Sequence, residues 1–291
     1  MPNTRDIRNR IRGVKNTQKI TRAMQLVAAS KMKKAQDRAL EGRPYAQLLS
    51  RMLASLTDKV KDFSHPFLEQ REVRKRGVLL ISTDRGLCGS LNANLFREVA
   101  SLDKEKTAFV TIGRKARQFI SRTGRNLLAD YPVSEEALFS EIRPVIEFLI
   151  QQYEEGAVDT IEILYPRFKN TLIQEPRLLP LLPLTNLKQF VHQLAEAEGI
   201  EVLNENREFL FEPSAEEILN LLLSRFIKRQ AYQTLIDARA SEHSARMVAM
   251  KAATDNAKKL TDSLTLQYNK ARQAGITQEI LEITAASQHS G

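Results

Sequence analysis

The sequence predicts an α/β protein: a central Rossmann-like domain with a mostly parallel sheet, and a long antiparallel coiled coil of the N- and C-terminal helices. Three observations lead there. Apolar residues recur at three-four spacing along both ends of the chain. In the middle, short apolar runs of strand length alternate with helical segments. The chain has 291 residues but no Trp, and only 6% of its residues are aromatic. That composition suits long helices with little core behind them.

Residues 4–57 read as the first helix. Ile7, Ile11, Val14, Thr21, Met24, Ala28, Met32, Ala35 and Ala39 form its stripe, with a polar Gln18 in the series. Asp6 in the first turn suits the helix dipole. Gly42 and Pro44 interrupt the pattern, so a kink or short break is expected there. Helix resumes through Leu48, Met52 and Leu56. Residues 59–76 are polar and read as a linker.

The period then changes. Residues 77–83 (GVLLIST), 107–112 (TAFVTI) and 158–165 (VDTIEILY) read as strands, and residues 171–182 contain a fourth. Residues 114–121 and 135–154 read as helices between them. This domain spans 77–205. Residues 200–212 look like strand and turn. Ser214 with Glu217 three residues later forms a capping box that opens the last helix. Its pattern runs to about residue 286, with Ile218, Leu222, Phe226, Ile236, Met250, Ala253, Leu260 and Leu264 as an intermittent stripe. Alanines crowd residues 238–257, and small side chains let two helix backbones approach closely. A helix of this kind needs a partner, and the first helix is the candidate. The expected division is 1–58, 77–205 and 213–287.

Charge is uneven. The chain is +9 overall. Residues 1–59 hold fourteen basic and four acidic side chains, a net +10, and the rest of the chain is near neutral. A basic arm of this kind implies an acidic partner, whether nucleic acid, an anionic membrane face or an acidic protein surface. The lone Cys88 excludes an intrachain disulfide and suits a reducing compartment. The charged N-terminus does not read as a secretory signal, and no apolar run is long enough to span a membrane.

Candidate sites are few. The loop Asp84-Arg85-Gly86-Leu87-Cys88-Gly89-Ser90 follows a strand, as a phosphate-cradling loop would. It lacks the third glycine of the dinucleotide fingerprint and has no Gly-Lys-Ser/Thr. The preferred reading is a turn off the sheet into a helix starting near residues 90–94. Cys88 as a nucleophile would need a base, but His65, His192, His243 and His289 lie far from it in sequence and show no metal spacing. His243 reads as a polar position on the long helix. The basic first helix lacks the interleaved aromatics and regular leucines of a nucleic-acid binder. On the residues alone, a protein-binding rod and a solvated charged helix stand about level, ahead of nucleic acid.

Three stretches together resemble one family. They are residues 7–33 (IRNRIRGVKNTQKITRAMQLVAASKMK), 82–95 (STDRGLCGSLNANL) and 241–283 (SEHSARMVAMKAATDNAKKLTDSLTLQYNKARQAGITQEILEI). They are similar to the gamma subunits of F-type ATP synthases, the central rotor shafts, in a bacterial form. The resemblance implies a non-catalytic subunit that transmits torque from a membrane c-ring to a catalytic alpha/beta head, for ATP synthesis coupled to proton transport. It implies alpha, beta and epsilon subunits and the c-ring as partners, one copy per complex, and a peripheral position on the cytoplasmic face of a bacterial membrane. It implies no cofactor, metal or nucleic acid.

By motif position, the resemblance places Met24, Lys31, Arg246, Arg272, Gln273, Thr277 and Glu279 against the head. Asp84, Arg85 and Cys88 fall in a motif loop at the shaft base, and Glu205, Phe209 and Phe211 in a foot towards the c-ring and epsilon. Two departures stand out: Gly275 lies inside the last helix, and the loop has Ser90 where a second glycine is usual. A basic coiled-coil nucleic-acid binder is the alternative, and a small-molecule enzyme built on residues 77–205 is a third reading.

Overall fold

The computed structural model describes residues 4–42, 44–45, 48–49, 52–53, 56, 65–184 and 214–289. The elements, in chain order, are α1 (Thr4–Glu41), β1 (Arg76–Ile81), α2 (Leu91–Ser101), β2 (Thr107–Ile112), α3 (Arg114–Arg122), β3 (Asn126–Tyr131), α4 (Phe139–Glu154), β4 (Thr160–Phe168), β5 (Gln174–Leu182) and α5 (Ala215–His289). The chain forms two compact units, Ser30–Ala245 and the pair Met1–Ala29 with Arg246–Gly291. Residues 185–213 lie outside the description, and with them the expected strand at 200–212 and the foot residues Glu205, Phe209 and Phe211.

In the larger unit the sheet order is β3-β2-β1-β4-β5. The first four strands are parallel, and β5 returns antiparallel to β4. Successive side chains alternate between the two faces. Val78 and Leu80 of β1 pack with Leu95 and Val99 of α2 and Ile120 of α3. Leu79 and Ile81 face the other way, towards Val145 and Leu149 of α4 and Leu223 and Ile227 of α5. Burial on both faces is why β1 reads as an unbroken apolar run.

The edges explain what the sequence conceals. β3 has no counterpart in the sequence reading. Its residues NLLADY are only half-buried or exposed, and Asp130 interrupts the apolar run to accept a hydrogen bond from Thr111 Oγ1 at 2.7 Å. β5 holds Pro176 and Pro180, which lack the amide a central strand needs; at the sheet edge the loss is tolerated.

The break at Gly42 and Pro44 appears as the end of α1 at Glu41, with helical backbone again at Pro44 and Tyr45. Beyond it, Leu49, Leu53 and Leu56 enter the core, while Leu48 of the expected stripe faces solvent. Helix α4 starts at Phe139, later than the predicted 135. Residues before it form a loop tied by Glu141, whose carboxylate accepts from the amides of Ser134 and Leu138 and from Ser134 Oγ.

In the smaller unit, Thr21 Oγ1 lies 2.7 Å from Thr254 Oγ1, and Arg8 donates to the Tyr268 hydroxyl. Moving back along α1 moves forward along α5, so the two segments run antiparallel. The seam on α5 follows Met250, Thr254, Ala257, Thr261 and Leu264, all buried, in the four-three alternation of a coiled coil. On α1 the buried positions are Ile7, Thr21 and Ala28. The sequence stripe placed Leu260 on this face, yet Leu260 is 47% exposed and Thr261 is 7% exposed. The heptad register sets the seam here, not the largest apolar residue. Thr254 and Thr261 return their hydroxyls to the carbonyls of Met250 and Ala257, so the seam is polar without leaving those groups unsatisfied.

One glycine is required by close packing. Gly113 joins β2 to α3 at φ 99°, and a Cβ there would sit 2.4 Å from the Ser82 carbonyl oxygen. We expect Gly113→Ala to destabilise the fold by about 2–4 kcal/mol, the scale of a strained backbone combined with an overpacked contact. Denaturant unfolding of the purified chain measures this.

Candidate functional site

An open parallel sheet leaves a crevice at the carboxyl ends of its strands, at the point where strand order reverses, and ligands bind there. In this chain that point lies between β1 and β4. It is occupied by the protein's own helix. Every residue of α5 from Ala238 to Ala245 is buried. A helix resting on one surface buries a stripe, not eight consecutive positions, so this segment is enclosed on all sides.

Three loops grip it, each following a parallel strand. After β1, Cys88 and Leu91 pack against Ala245. After β3, the carbonyls of Val133 and Ser134 accept from Arg239 Nη2 at 3.0 and 3.2 Å. At and beyond the end of β4, the Phe168 amide donates to the Asp237 carboxylate, 3.3 Å from each oxygen. The Thr171 carbonyl accepts from Ser244 Oγ at 2.8 Å, and Gln174 Nε2 donates to the same hydroxyl. Arg239 also donates to Glu242 Oε2 at 3.0 Å, and both side chains are more than nine-tenths buried. A buried pair of this kind is tolerated because directional partners replace water.

The loop weighed as a phosphate cradle and preferred as a turn off the sheet uses its polar groups internally. Asp84 Oδ1 accepts from the Arg114 amide at 3.0 Å, the Thr83 carbonyl from the Lys115 amide, and Ser82 Oγ from the Ala116 amide. The first turn of α3, with the free N–H groups that attract anions, is thus capped by the end of β1. Asn92 Nδ2 reaches Thr83 Oγ1 at 2.7 Å and Cys88 Sγ at 3.5 Å. The thiol is buried, and no group of His, Cys, Asp and Glu suited to a metal occurs among the described residues. No described helix is long and apolar enough to cross a membrane.

The other predicted site residues fall in separate places. Lys31 forms an ion pair with Glu135 at 2.6 Å, which holds the Glu135 carboxyl below the usual carboxylate range. The two border a cavity of about 210 Å³ that also meets Arg38, Arg239 and His243. Met24 and Arg246 are half-buried in the smaller unit, while Arg272, Gln273, Thr277 and Glu279 are exposed along α5. Thr277 returns its hydroxyl to the Gln273 carbonyl. A Cβ at Gly275 would meet nothing within 4 Å, so packing does not demand that glycine. His243, read as a polar helix position, is 3% exposed and belongs to the gripped segment. Sequence reading missed Asp237, Arg239, Glu242 and Ser244. Their signal was a run of charged, hydroxyl and alanine residues with no apolar side to the helix.

Burial pushes the Asp237 carboxyl up to about 6, opposed by the Phe168 amide and by Arg167 and Arg177. The folded state therefore holds this proton more tightly than the unfolded chain, whose ordinary value is 3.8. The stabilising contribution is complete below that value and is lost as pH rises through about 6. It amounts to about 3 kcal/mol. We expect Asp237→Asn, which keeps an acceptor for the Phe168 amide, to remove this fall in stability between pH 4 and about 7; urea unfolding across that range reads it. Arg239→Met should cost about 3–5 kcal/mol, because it removes one side of a buried ion pair and the donor to the Val133 and Ser134 carbonyls. Arg239→Lys should cost less, as thermal and denaturant unfolding of the two variants will show.

The comparisons agree on one family. The family described as ATP synthase matches residues 3–288. The chain is 54% identical over 289 residues to the ATP synthase gamma chain of Opitutus terrae, covering 98% of each. It is 46% identical to that of Methylacidiphilum infernorum over the full length of both. Among solved structures, it is similar to a chain of the Tetrahymena thermophila mitochondrial ATP synthase central stalk and c-ring (26% identity, TM-score 0.59, covering 80% of this chain and 99% of that one). It also shares its fold with a chain of the Euglena gracilis mitochondrial ATP synthase rotor (18% identity, TM-score 0.66, covering 94% and 98%). With a helix in place of a ligand between its strands and relatives matched from end to end, the chain belongs to the ATP synthase gamma-chain family.

Proposed function

We propose that the chain works as a turning shaft in which α5 is the torque-bearing element. As a gamma chain it is the non-catalytic rotor stalk subunit of ATP synthase, a peripheral part of a membrane-associated complex. The observation that carries the mechanism is the enclosed segment of α5. A helix held along one apolar stripe can roll on its neighbours. A helix bonded on all sides to three loops cannot turn without breaking several buried hydrogen bonds at once, each costly to leave unmade. Torque applied to the α/β domain therefore enters α5 directly, and α5 continues unbroken to His289.

The partners in this reading are alpha and beta subunits around the paired helices, with epsilon and the c-ring at the α/β domain, one copy of the chain per complex. The working division is 1–58, 77–205 and 213–287. Contacts with the head fall at Met24, Lys31 and Arg246, and at Arg272, Gln273, Thr277 and Glu279. Exposure of the last four supports this, and so does the apolar run Ile276, Ile280 and Ile283 beside them, each about half or more exposed. The motif loop with Asp84, Arg85 and Cys88 locks the shaft base. Glu205, Phe209 and Phe211 form the foot towards the c-ring and epsilon. The bacterial relatives support a place on the cytoplasmic face of a bacterial membrane, with proton transport as the coupled process.

Complexes assembled with alanine at Arg272, Gln273, Thr277 and Glu279 together should stay intact and lose several-fold in coupled ATP synthesis, since hydrogen bonds made and broken on rotation are lost. Membrane vesicles with an imposed proton gradient measure the rate. Undiminished synthesis by a chain ending at Ala240 would overturn the shaft role.

A further inference from the structure

β4 outruns the sheet. It pairs with β1 only as far as Leu164, opposite Leu80. It goes on pairing with β5 from Tyr165, opposite Arg177, to Phe168, opposite Gln174. The end of the β4–β5 hairpin is therefore a two-stranded arm with no described strand on either side. A two-stranded hairpin is marginally stable by itself. From Arg167 to Leu178 no residue of this arm is buried, and Leu172 at its tip is 75% exposed.

The turn holds its own shape. Asn170 Oδ1 accepts from the amides of Leu172 and Ile173, and Lys169 pairs with Glu175 at 2.9 Å. The arm is attached to α5 at two points. The Asp237 carboxylate accepts from the Phe168 amide. The Ser244 hydroxyl donates to the Thr171 carbonyl and accepts from Gln174 Nε2. Asp237 and Ser244 are about two helical turns apart, so both lie on one face of α5. With no buried apolar residue in the arm, lifting it as a unit breaks a few hydrogen bonds and exposes little area. The loops after β1 and β3 keep their own hold through Cys88, Leu91 and Arg239, so α5 stays seated when the arm lifts.

We propose that this arm is a clasp on α5 controlled by the Asp237 proton: it lies shut while the carboxyl is protonated and lifts more often once the carboxyl is ionised. Asp237 is the one ionisable group among the attachments. The charged and titratable groups facing it are Tyr165 and Arg167 of β4 and Arg177 of β5. Tyr165 stays neutral, because burial raises it above its ordinary 10.0. The two arginines oppose the burial of Asp237 without cancelling it, so under the closed arm the carboxyl keeps its proton up to about pH 6. Lifting the arm admits water and returns the group towards its ordinary 3.8. Closure is therefore favoured most below that value, and the advantage is lost as pH rises through about 6. The clasp rests on the shaft reading only for its consequence, a firmer joint between the α/β domain and α5 in acid.

Amide hydrogen exchange of the full chain in low urea tests this. The Phe168 and Lys169 amides should exchange through an opening that urea barely changes, whereas Leu79 and Leu80 in β1 should need global unfolding. Corrected for intrinsic rates, protection of the arm should fall about thirtyfold between about pH 4.5 and 7.5, the factor set by carboxyl values of 3.8 and about 6. Asp237→Asn should abolish the fall. Ser244→Ala should lower protection about tenfold at every pH and keep the fall. The proposal is overturned if the arm exchanges only with β1 at all urea concentrations, or if its protection does not change with pH. A fall that survives in Asp237→Asn would also sink it, since another group such as His243 would then carry the effect. So would arm protection unchanged by Ser244→Ala. None of these results bears on the shaft role, which the synthesis assay decides.

Discussion

The grip of three loops on residues 237–245 of α5 is the constraint on which the rest of the larger unit depends. The carboxyl edge of a parallel sheet exposes backbone groups and the amino ends of helices, and most proteins of this layout leave that edge to a ligand. Here Arg239, Asp237 and Ser244 supply the polar partners a ligand would supply, and alanines between them let the loops approach. Ser82 and Asp84 cap α3 in the same spirit. The consequence is mechanical. A ligand can leave, but a covalently continuous helix cannot, so residues 237–245 are a fixed part of the α/β domain.

The grip is polar where an ordinary core would be apolar, and that changes its response to solution conditions. Asp237 is buried deeply enough to bind a proton near pH 6, while Arg239 and Glu242 form a buried ion pair at 3.0 Å. Directional bonds resist rotation better than apolar contact, because sliding an apolar surface costs little until area is lost, whereas turning a hydrogen bond off axis loses it at once. In the smaller unit the opposite economy holds. The seam of Thr21, Ala28, Thr254, Ala257 and Thr261 buries little area, and its hydroxyls are mostly returned to the same helix. This pair stays closed through close approach and heptad register rather than through large anchors.

Legibility from sequence varied with the physical signal. β1, β2 and β4 were clear because burial on both faces writes a continuous apolar run. β3 was silent because an edge strand needs only partial burial, and its Asp130 is spent on Thr111 and Arg117. On α5 the alanine-rich stretch was visible, but its meaning was mistaken in part. Small residues at 238–245 admit three loops and not just one helix. Leu260 drew attention by its size, while the seam took Thr261. His243 read only as a polar helix position because no sequence rule marks a helix enclosed on every side.

By itself the sequence determined the α/β class, the two long terminal helices, the break at Gly42 and the family motifs at 7–33, 82–95 and 241–283. These rest on local periodicity, on turn and cap chemistry, and on residue order, all of which are written along the chain. Only the tertiary structure decided the register of the helix seam, the antiparallel edge strand β5 and the enclosure of Asp237, Arg239, Glu242 and Ser244. The same holds for the arm of β4 and β5 beyond the end of β1. Each of these depends on which distant segments meet, and a polar residue reads the same in sequence whether water or a buried carbonyl accepts its hydrogen bond.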